Sequence, residues 1–299
     1  MKNSLAIQIP LWDDSMPTPV VNVASVPQRS PFRYPGGKTW LVPRIRHWLS
    51  SLPAEPSRFI EPFAGGAIVG LTVAFEQLAG QVILVERDEQ VAAVWHTIIN
   101  TKDEAEWLAD QIVNFRLTPE SAKALLSSPA RSLKEKAFQT IVQNRISHGG
   151  ILAPGAGALK HGEDGKGVLS RWYPQTLRKR ILDIANIKER IKFIRGDGFE
   201  VIRKKARYAN AVFFIDPPYT ASAKKAGTRL YKYHQVDHEE LFRLAGKIKG
   251  DFLMTYDDAE EVRALAVKHR FETRLVAMSN THHATMSELL IGRNLAWVR

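Results

Sequence analysis

The chain has 299 residues, with 42 Lys+Arg against 31 Asp+Glu, a formal charge of +11 and a hydrophobic content of 44%. That composition is too apolar for wholesale disorder and too interrupted by charge for a membrane span, and the length suits one large domain or one domain carrying an insertion. There is no cysteine, which excludes a disulfide scaffold, a thiolate metal cage and a cysteine nucleophile, and fits a reducing compartment.

Taken in chain order, residues 1–30 hold Pro10, Pro17, Pro19 and Pro27 without a sustained period and read as an extended arm. The first apolar run is broken by Gln8, Pro10 and Asp13-Asp14, so a signal peptide is not expected. Short apolar runs ending in acid or turn residues then recur at 58–63, 81–86, 191–197, 211–216, 251–256, 273–278 and 287–292, and these predict buried strands. Helical periods lie between them, around 67–79, 88–99, 198–207, 237–248 and 258–270. Strands alternating with helices imply an α/β fold with an open, mostly parallel sheet and helices on both faces. The interval 101–190 lacks a convincing strand and shows helical patterns at 103–115, 131–147 and 175–189. The expected division is therefore an arm at 1–30, a sheet domain from 31–100 and 191–299, and an inserted, mainly helical domain at 101–190.

The charge is unevenly spread. Residues 131–207 hold 18 basic and 7 acidic side chains, an excess equal to that of the whole chain. Such a concentration suits a polyanion, because neutralised phosphates release counterions. A glycine-rich stretch, roughly His148 to Gly167, interrupts this segment and leads into Arg171, Trp172 and Tyr173. Those side chains either stack on bases or pin the loop to the core. The His234 and His238 pair lacks a third ligand, so no metal site is expected.

Three short motifs fall where an open α/β sheet places ligands. In Glu61-Pro62-Phe63-Ala64-Gly65-Gly66 a strand runs into a glycine turn and then a helix, whose N-terminus offers free N–H groups. Glu86 ends the next strand, where a carboxylate can hold the two hydroxyls of a ribose. As a dinucleotide fingerprint the turn is incomplete, because the central glycine is Ala67. Gly37-Lys38-Thr39 likewise lacks the upstream glycine of a phosphate-binding loop, its place being taken by Phe32. In Asp216-Pro217-Pro218-Tyr219 two prolines follow the strand Ala211–Ile215 and fix a rigid exit that holds a carboxylate, a carbonyl and a ring in set relation. A nucleic-acid-binding module with a degenerate pocket and a nicotinamide-dependent oxidoreductase are the rival readings.

The motifs Phe32 to Lys38, Glu61 to Gly66 and Asp216 to Tyr219, in that order, resemble the Dam-like, D12-class DNA adenine-N6 methyltransferases over roughly residues 32–299. The resemblance implies a Rossmann-like methyltransferase sheet, S-adenosylmethionine as cofactor and double-stranded DNA as substrate. It implies that Phe63, Gly65 and Gly66 lie against the methionine part of the cofactor, Glu86 on its ribose and Asp197 at its adenine end. Tyr34 would belong to the cofactor pocket, Lys38 to the pocket and the DNA side, and Asp216, Pro217, Pro218 and Tyr219 to the catalytic tetrapeptide, with Asp216 also facing the cofactor. The helical insertion would correspond to the target-recognition region. DNA contacts are expected from Lys38, Arg145, Arg171, Trp172, Arg178, Lys179 and Arg180, with Tyr231 and Tyr233 as further candidates. Such an enzyme acts in the cytoplasm of a prokaryote or on viral DNA, and a cognate restriction endonuclease is left open as a partner. The absence of cysteine removes methylation at cytosine carbon 5, and Asp in the tetrapeptide favours adenine over cytosine in families of this type.

Overall fold

A computed structural model describes residues 26–34, 37–153, 157, 159, 162, 165–218, 236–279 and 285–298. Its centre is a seven-stranded sheet: β1 Arg58–Glu61, β2 Gln81–Glu86, β3 Ile191–Arg195, β4 Ala211–Ile215, β5 Asp251–Asp257, β6 Glu272–Ser279 and β7 Thr285–Gly292, in the order β3-β2-β1-β4-β5-β7-β6. The first five strands are parallel, with Phe59 opposite both Val82 and Val212. The chain then reverses, and β7 runs antiparallel between β5 and β6, pairing Tyr256 with Leu289.

The strands are apolar because both faces are covered. Phe59, Val82, Leu84, Phe193 and Phe214 join one core, while Ile60, Ile83, Val85, Phe213 and Ile215 join the other. Each such side chain removed from water contributes about 1.5–3 kcal/mol, which is why an alternating polar face is absent from these strands. The first core is closed by α1 Val42–Ser51, α2 Ile68–Glu76 and α3 Glu89–Trp95, which continues as a π-helical turn over His96–Asn100. The second is closed by α8 Gly198–Lys205, α9 His238–Ala245 and α10 Glu260–Lys268. Local chemistry sets several starts: Asp88 caps α3, Asp197 caps α8 and Asp237 caps α9, each carboxylate accepting a backbone N–H of the first turn.

Between α3 and β3 come four further described α-helices: α4 Glu104–Asn114, α5 Pro119–Ser127, α6 Leu133–Ile146 and α7 Pro174–Asn186. Phe115 meets Phe138 and Trp172 edge to face at 5.3 and 6.2 Å, which ties this group together. Its apolar residues Leu108, Ile112, Ile141, Leu177 and Ile181 run into the same core as Trp95 and Ile98, so these helices pack onto the flank of the sheet. The last residues of the expected arm also dock: Val26 is buried, and Arg29 donates to Glu76 on α2 at 3.2 Å. Among the described residues no helix is long and apolar enough to cross a membrane.

Candidate active site

The strand order reverses direction at β1 and β4, and in a doubly wound sheet ligands bind outside the carboxyl ends of the strands at that point. A cavity of about 550 Å³ lies there, within the range of small-molecule sites. Its walls include Tyr34, Lys38, Phe63, Gly65, Gly66, Glu86, Asp197, Asp216, Pro217 and Pro218, so residues from 34 to 218 meet in one place. Tyr219, Tyr231 and Tyr233 lie outside the described residues, as does His234.

The glycine turn is built around one ring. Gly65 has φ of +47°, and a Cβ there would stand 2.6 Å from the Tyr34 ring; a Cβ on Gly66 would stand 2.8 Å from the Tyr34 Cβ. The Trp95 indole donates to the Gly65 carbonyl at 2.9 Å and fixes the turn from behind. Gly65→Ala is expected to cost about 1–3 kcal/mol, from left-handed backbone strain and displacement of Tyr34. Thermal unfolding at constant pH measures this. Ala67 follows with φ of +51°, a conformation suited to glycine, so the alanine that interrupts the dinucleotide fingerprint falls on a strained position.

Glu86 is half-buried at the end of β2 and receives the N–H groups of Gly65 at 2.9 Å and Asp88 at 2.7 Å. Burial outweighs those bonds and pushes its carboxyl up to about 7. Asp197 follows the neighbouring strand β3, just past Gly196, whose N–H donates to the Glu86 carbonyl at 3.0 Å; it caps α8 and has Arg87 at 3.8 Å. Phe63 and Phe199 meet edge to face at 6.0 Å beside it. Together these groups form an apolar slot with an acceptor at one side, which suits a nucleoside.

At the opposite wall Asp216 receives two donors on one oxygen. Lys38 Nζ stands 3.0 Å from Oδ1 and the Thr255 hydroxyl donates to the same atom at 2.7 Å. Oδ2 has no partner among the described residues. Lys38 is buried and also meets Glu288 on β7 at 2.8 Å. Burial alone would lower the Lys38 ammonium, but the Asp216 and Glu288 carboxylates overcome it and hold it above its ordinary value. Pro217 and Pro218 bring no N–H to this corner, so its backbone offers only carbonyls.

Sequence reasoning assigned no role to Glu61, Thr255 or Arg33. Glu61 is 3% exposed, lines the cavity and accepts from Gly70 N–H at 2.9 Å; burial drives its carboxyl well above the usual range. A Cβ on Gly70 would fall 2.4 Å from that oxygen, which explains a glycine inside α2.

The basic residues divide. Arg180 lines the cavity and donates to the Ser30 carbonyl at 3.0 Å. Arg178 faces Asp110 at 3.6 Å and Lys179 pairs with Asp183 at 2.7 Å, both on the exposed side of α7. Trp172 packs against Phe115, so its ring serves the core, whereas Tyr173 is half exposed and donates to the Ser170 carbonyl. Arg145, named as a DNA contact, is 4% exposed, and its guanidinium donates to the carbonyl of Pro31. A basic segment does not distinguish an exposed arginine from one whose acceptor is distant backbone.

A doubly wound sheet with a nucleoside-type slot beside an acid at its switch point is a Rossmann-like arrangement. The family model described as D12 class N6 adenine-specific DNA methyltransferase matches residues 34–123, a span that holds Tyr34, Lys38, the glycine turn and Glu86. The resemblance expected from the sequence is borne out over those residues, and the Asp216 corner lies beyond them. No curated protein matches the chain. Among solved structures, an rRNA methyltransferase, aviRa, from Streptomyces viridochromogenes is 15% identical, with 87% of this chain and 86% of that one covered at a TM-score of 0.41. A predicted O-methyltransferase, Atu636, from Agrobacterium tumefaciens is 15% identical, covering 83% and 81% at a TM-score of 0.37.

Proposed function

We propose that the chain transfers a methyl group from S-adenosylmethionine to the exocyclic N6 amine of an adenine rotated out of double-stranded DNA. The observation that carries this reading is the meeting of the Asp216-Pro217-Pro218 corner and the Gly65-Gly66 turn in one cavity, with Glu86 beside them. The residues fit the cofactor: Glu86 would accept from its ribose hydroxyls, Phe63 and Asp197 would border its adenine, and Gly65 and Gly66 allow close approach to its amino-acid end. S-adenosylmethionine supplies, when bound, an electrophilic methyl on a sulfonium that departs as a neutral thioether.

The chain's own residues deal with the weak nucleophile. Adenine's amino lone pair is delocalised into the ring. Asp216 Oδ2 and the Pro217 carbonyl would accept the two amino hydrogens and turn that lone pair out of the ring plane. Lys38 and Thr255 hold the other oxygen, so the acceptor is oriented before substrate arrives. Rotating the base from the duplex costs a few kcal/mol, of which stacking on Tyr219 would return about 1–3 kcal/mol. Orientation is the main catalytic contribution, because the leaving group needs no acid. The helical segment 101–190 would contact the duplex as a target-recognition region.

Incubation with labelled S-adenosylmethionine and duplex DNA, followed by digestion to nucleosides, should give N6-methyladenine; its absence across DNA of varied sequence would refute the reading. A pH dependence is also expected. Glu86 favours the protonated form in the free protein, so its contribution to stability is present at low pH and lost as pH climbs from about 4.5 toward 7. The ionised form accepts both ribose hydroxyls. Cofactor affinity should therefore rise by up to about ten-fold per unit below pH 7 and level off above it. Titration calorimetry across pH 5.5–8.5 should show this, and Glu86→Gln should flatten the profile.

A further inference from the structure

Outside the groups already assigned, three arginines gather around the segment Ser30–Tyr34, two of them lining the cavity. Arg33 belongs to that segment, Arg145 donates to its Pro31 carbonyl from α6, and Arg180 donates to its Ser30 carbonyl from α7. The arrangement is rigid. Asn144, fully buried, accepts from the Arg33 N–H at 2.9 Å and donates to the carbonyls of Arg33 at 2.8 Å and Gly150 at 2.6 Å. Gly150 has φ of +76°, and a Cβ there would collide with the Arg33 carbonyl at 2.2 Å.

This cluster is short of acceptors. Arg33 Nη1 and Arg145 Nε are buried with no hydrogen-bond partner among the described residues. Among the described residues no carboxylate acts on any of the three, whereas burial and then Arg180, Arg33 and Arg171 push Arg145 down to about 9. Buried donors left unmet and like charges held together disfavour the free protein and are relieved by an anion. Arg33 and Arg180 both line the cavity, so such an anion would sit at its wall.

We infer that Arg33 and Arg180, with the buried charge of Arg145 behind them, form a phosphodiester site that grips the DNA backbone next to the extruded adenine. The inference rests on the reading of the substrate as DNA. The competing anion is the carboxylate of the cofactor's amino-acid end. That end is a zwitterion and needs an acidic neighbour for its ammonium, which none of these three arginines supplies. A phosphodiester carries two anionic oxygens and no cation, and it matches the forked guanidinium geometry. Gripping it beside the target would hold the nucleotide in the extruded position.

The test uses the full chain and a duplex bearing the recognition site, read from methylated adenines in expression-host DNA. Single neutral methylphosphonates are placed at each phosphate within two nucleotides of the target. One of them should weaken binding by about ten-fold or more, measured by fluorescence anisotropy. R33Q and R180Q should weaken binding to the unmodified duplex similarly, lose most of the methylphosphonate effect and lower the salt slope by roughly one phosphate each. Their affinity for S-adenosylhomocysteine, by calorimetry, should stay within about two-fold of the parent, which also reports that they are folded. Loss of S-adenosylhomocysteine binding in either variant would overturn the assignment in favour of the cofactor carboxylate, and a further variant, R33K, should then retain cofactor binding while R33Q does not. Methylation of adenine without any methylphosphonate effect overturns the phosphate site alone. A parent chain that forms no N6-methyladenine overturns the reading of the site, and the phosphate site with it.

Discussion

Asp216→Ala should lower methyl transfer by about 10³-fold or more while changing cofactor affinity by less than about three-fold. The side chain sits where β4 meets two prolines, and its Oδ1 is already saturated by Lys38 and Thr255. Only Oδ2 is left, among the described residues, to receive an amino hydrogen. Asp216→Asn separates charge from shape. It preserves the volume and one acceptor, yet it weakens the acceptor and loses the charged partner of Lys38, so transfer should still fall by about 10²-fold or more. Single-turnover rates with saturating cofactor and duplex report the chemical step, and calorimetry reports cofactor binding. Full activity in either variant would remove Asp216 from the mechanism.

Lys38→Met should be the most destabilising single change at the site. Lys38 is buried between Asp216 at 3.0 Å and Glu288 at 2.8 Å, and its loss leaves two carboxylates facing each other with little water. Removing one member of a buried ionic group typically costs about 3–5 kcal/mol. For a domain of this size that lowers the melting temperature by roughly 10 °C. The two carboxylates should then share a proton, so the variant's deficit should grow as pH rises above about 5. Adding Glu288→Gln removes one charge and should restore part of the stability without restoring transfer, because Asp216 would still lack its positioning cation. Equal stability of Lys38→Met and the parent at pH 8 would refute this account.

Much of the fold was legible because its strands are covered on both sides. Runs such as Gln81–Glu86 and Ala211–Ile215 have no polar face to blur their limits, and all seven expected strands are present. Strand order and the reversal of β7 were not legible, since they depend on which edges meet. Helices α1 and α5 were passed over, although Val42, Ile45, Trp48 and Leu49 recur at helical spacing and Thr118 with Ser121 forms a capping box before Pro119. Within the site, the described residues named from motifs fall on one cavity. Their supports did not show, because Lys38 and Glu288 are far apart in sequence and Thr255 lies 39 residues beyond Asp216. Glu61 stood inside a motif but looked like an ordinary strand end. The burial of Arg145 was equally hidden, because its acceptor is the carbonyl of Pro31, 114 residues away.

The strand that runs against its neighbours imposes an order of assembly. Glu288 reaches the centre of the molecule only once β7 has paired with β5, and the lysine it meets was synthesised near the beginning. A nascent polypeptide that has already formed its parallel strands would therefore lack the clasp aligning Asp216. Competence for chemistry should arrive last, as the two distant portions of the polypeptide close on each other, so an unfinished product could wind its sheet yet leave DNA unmodified.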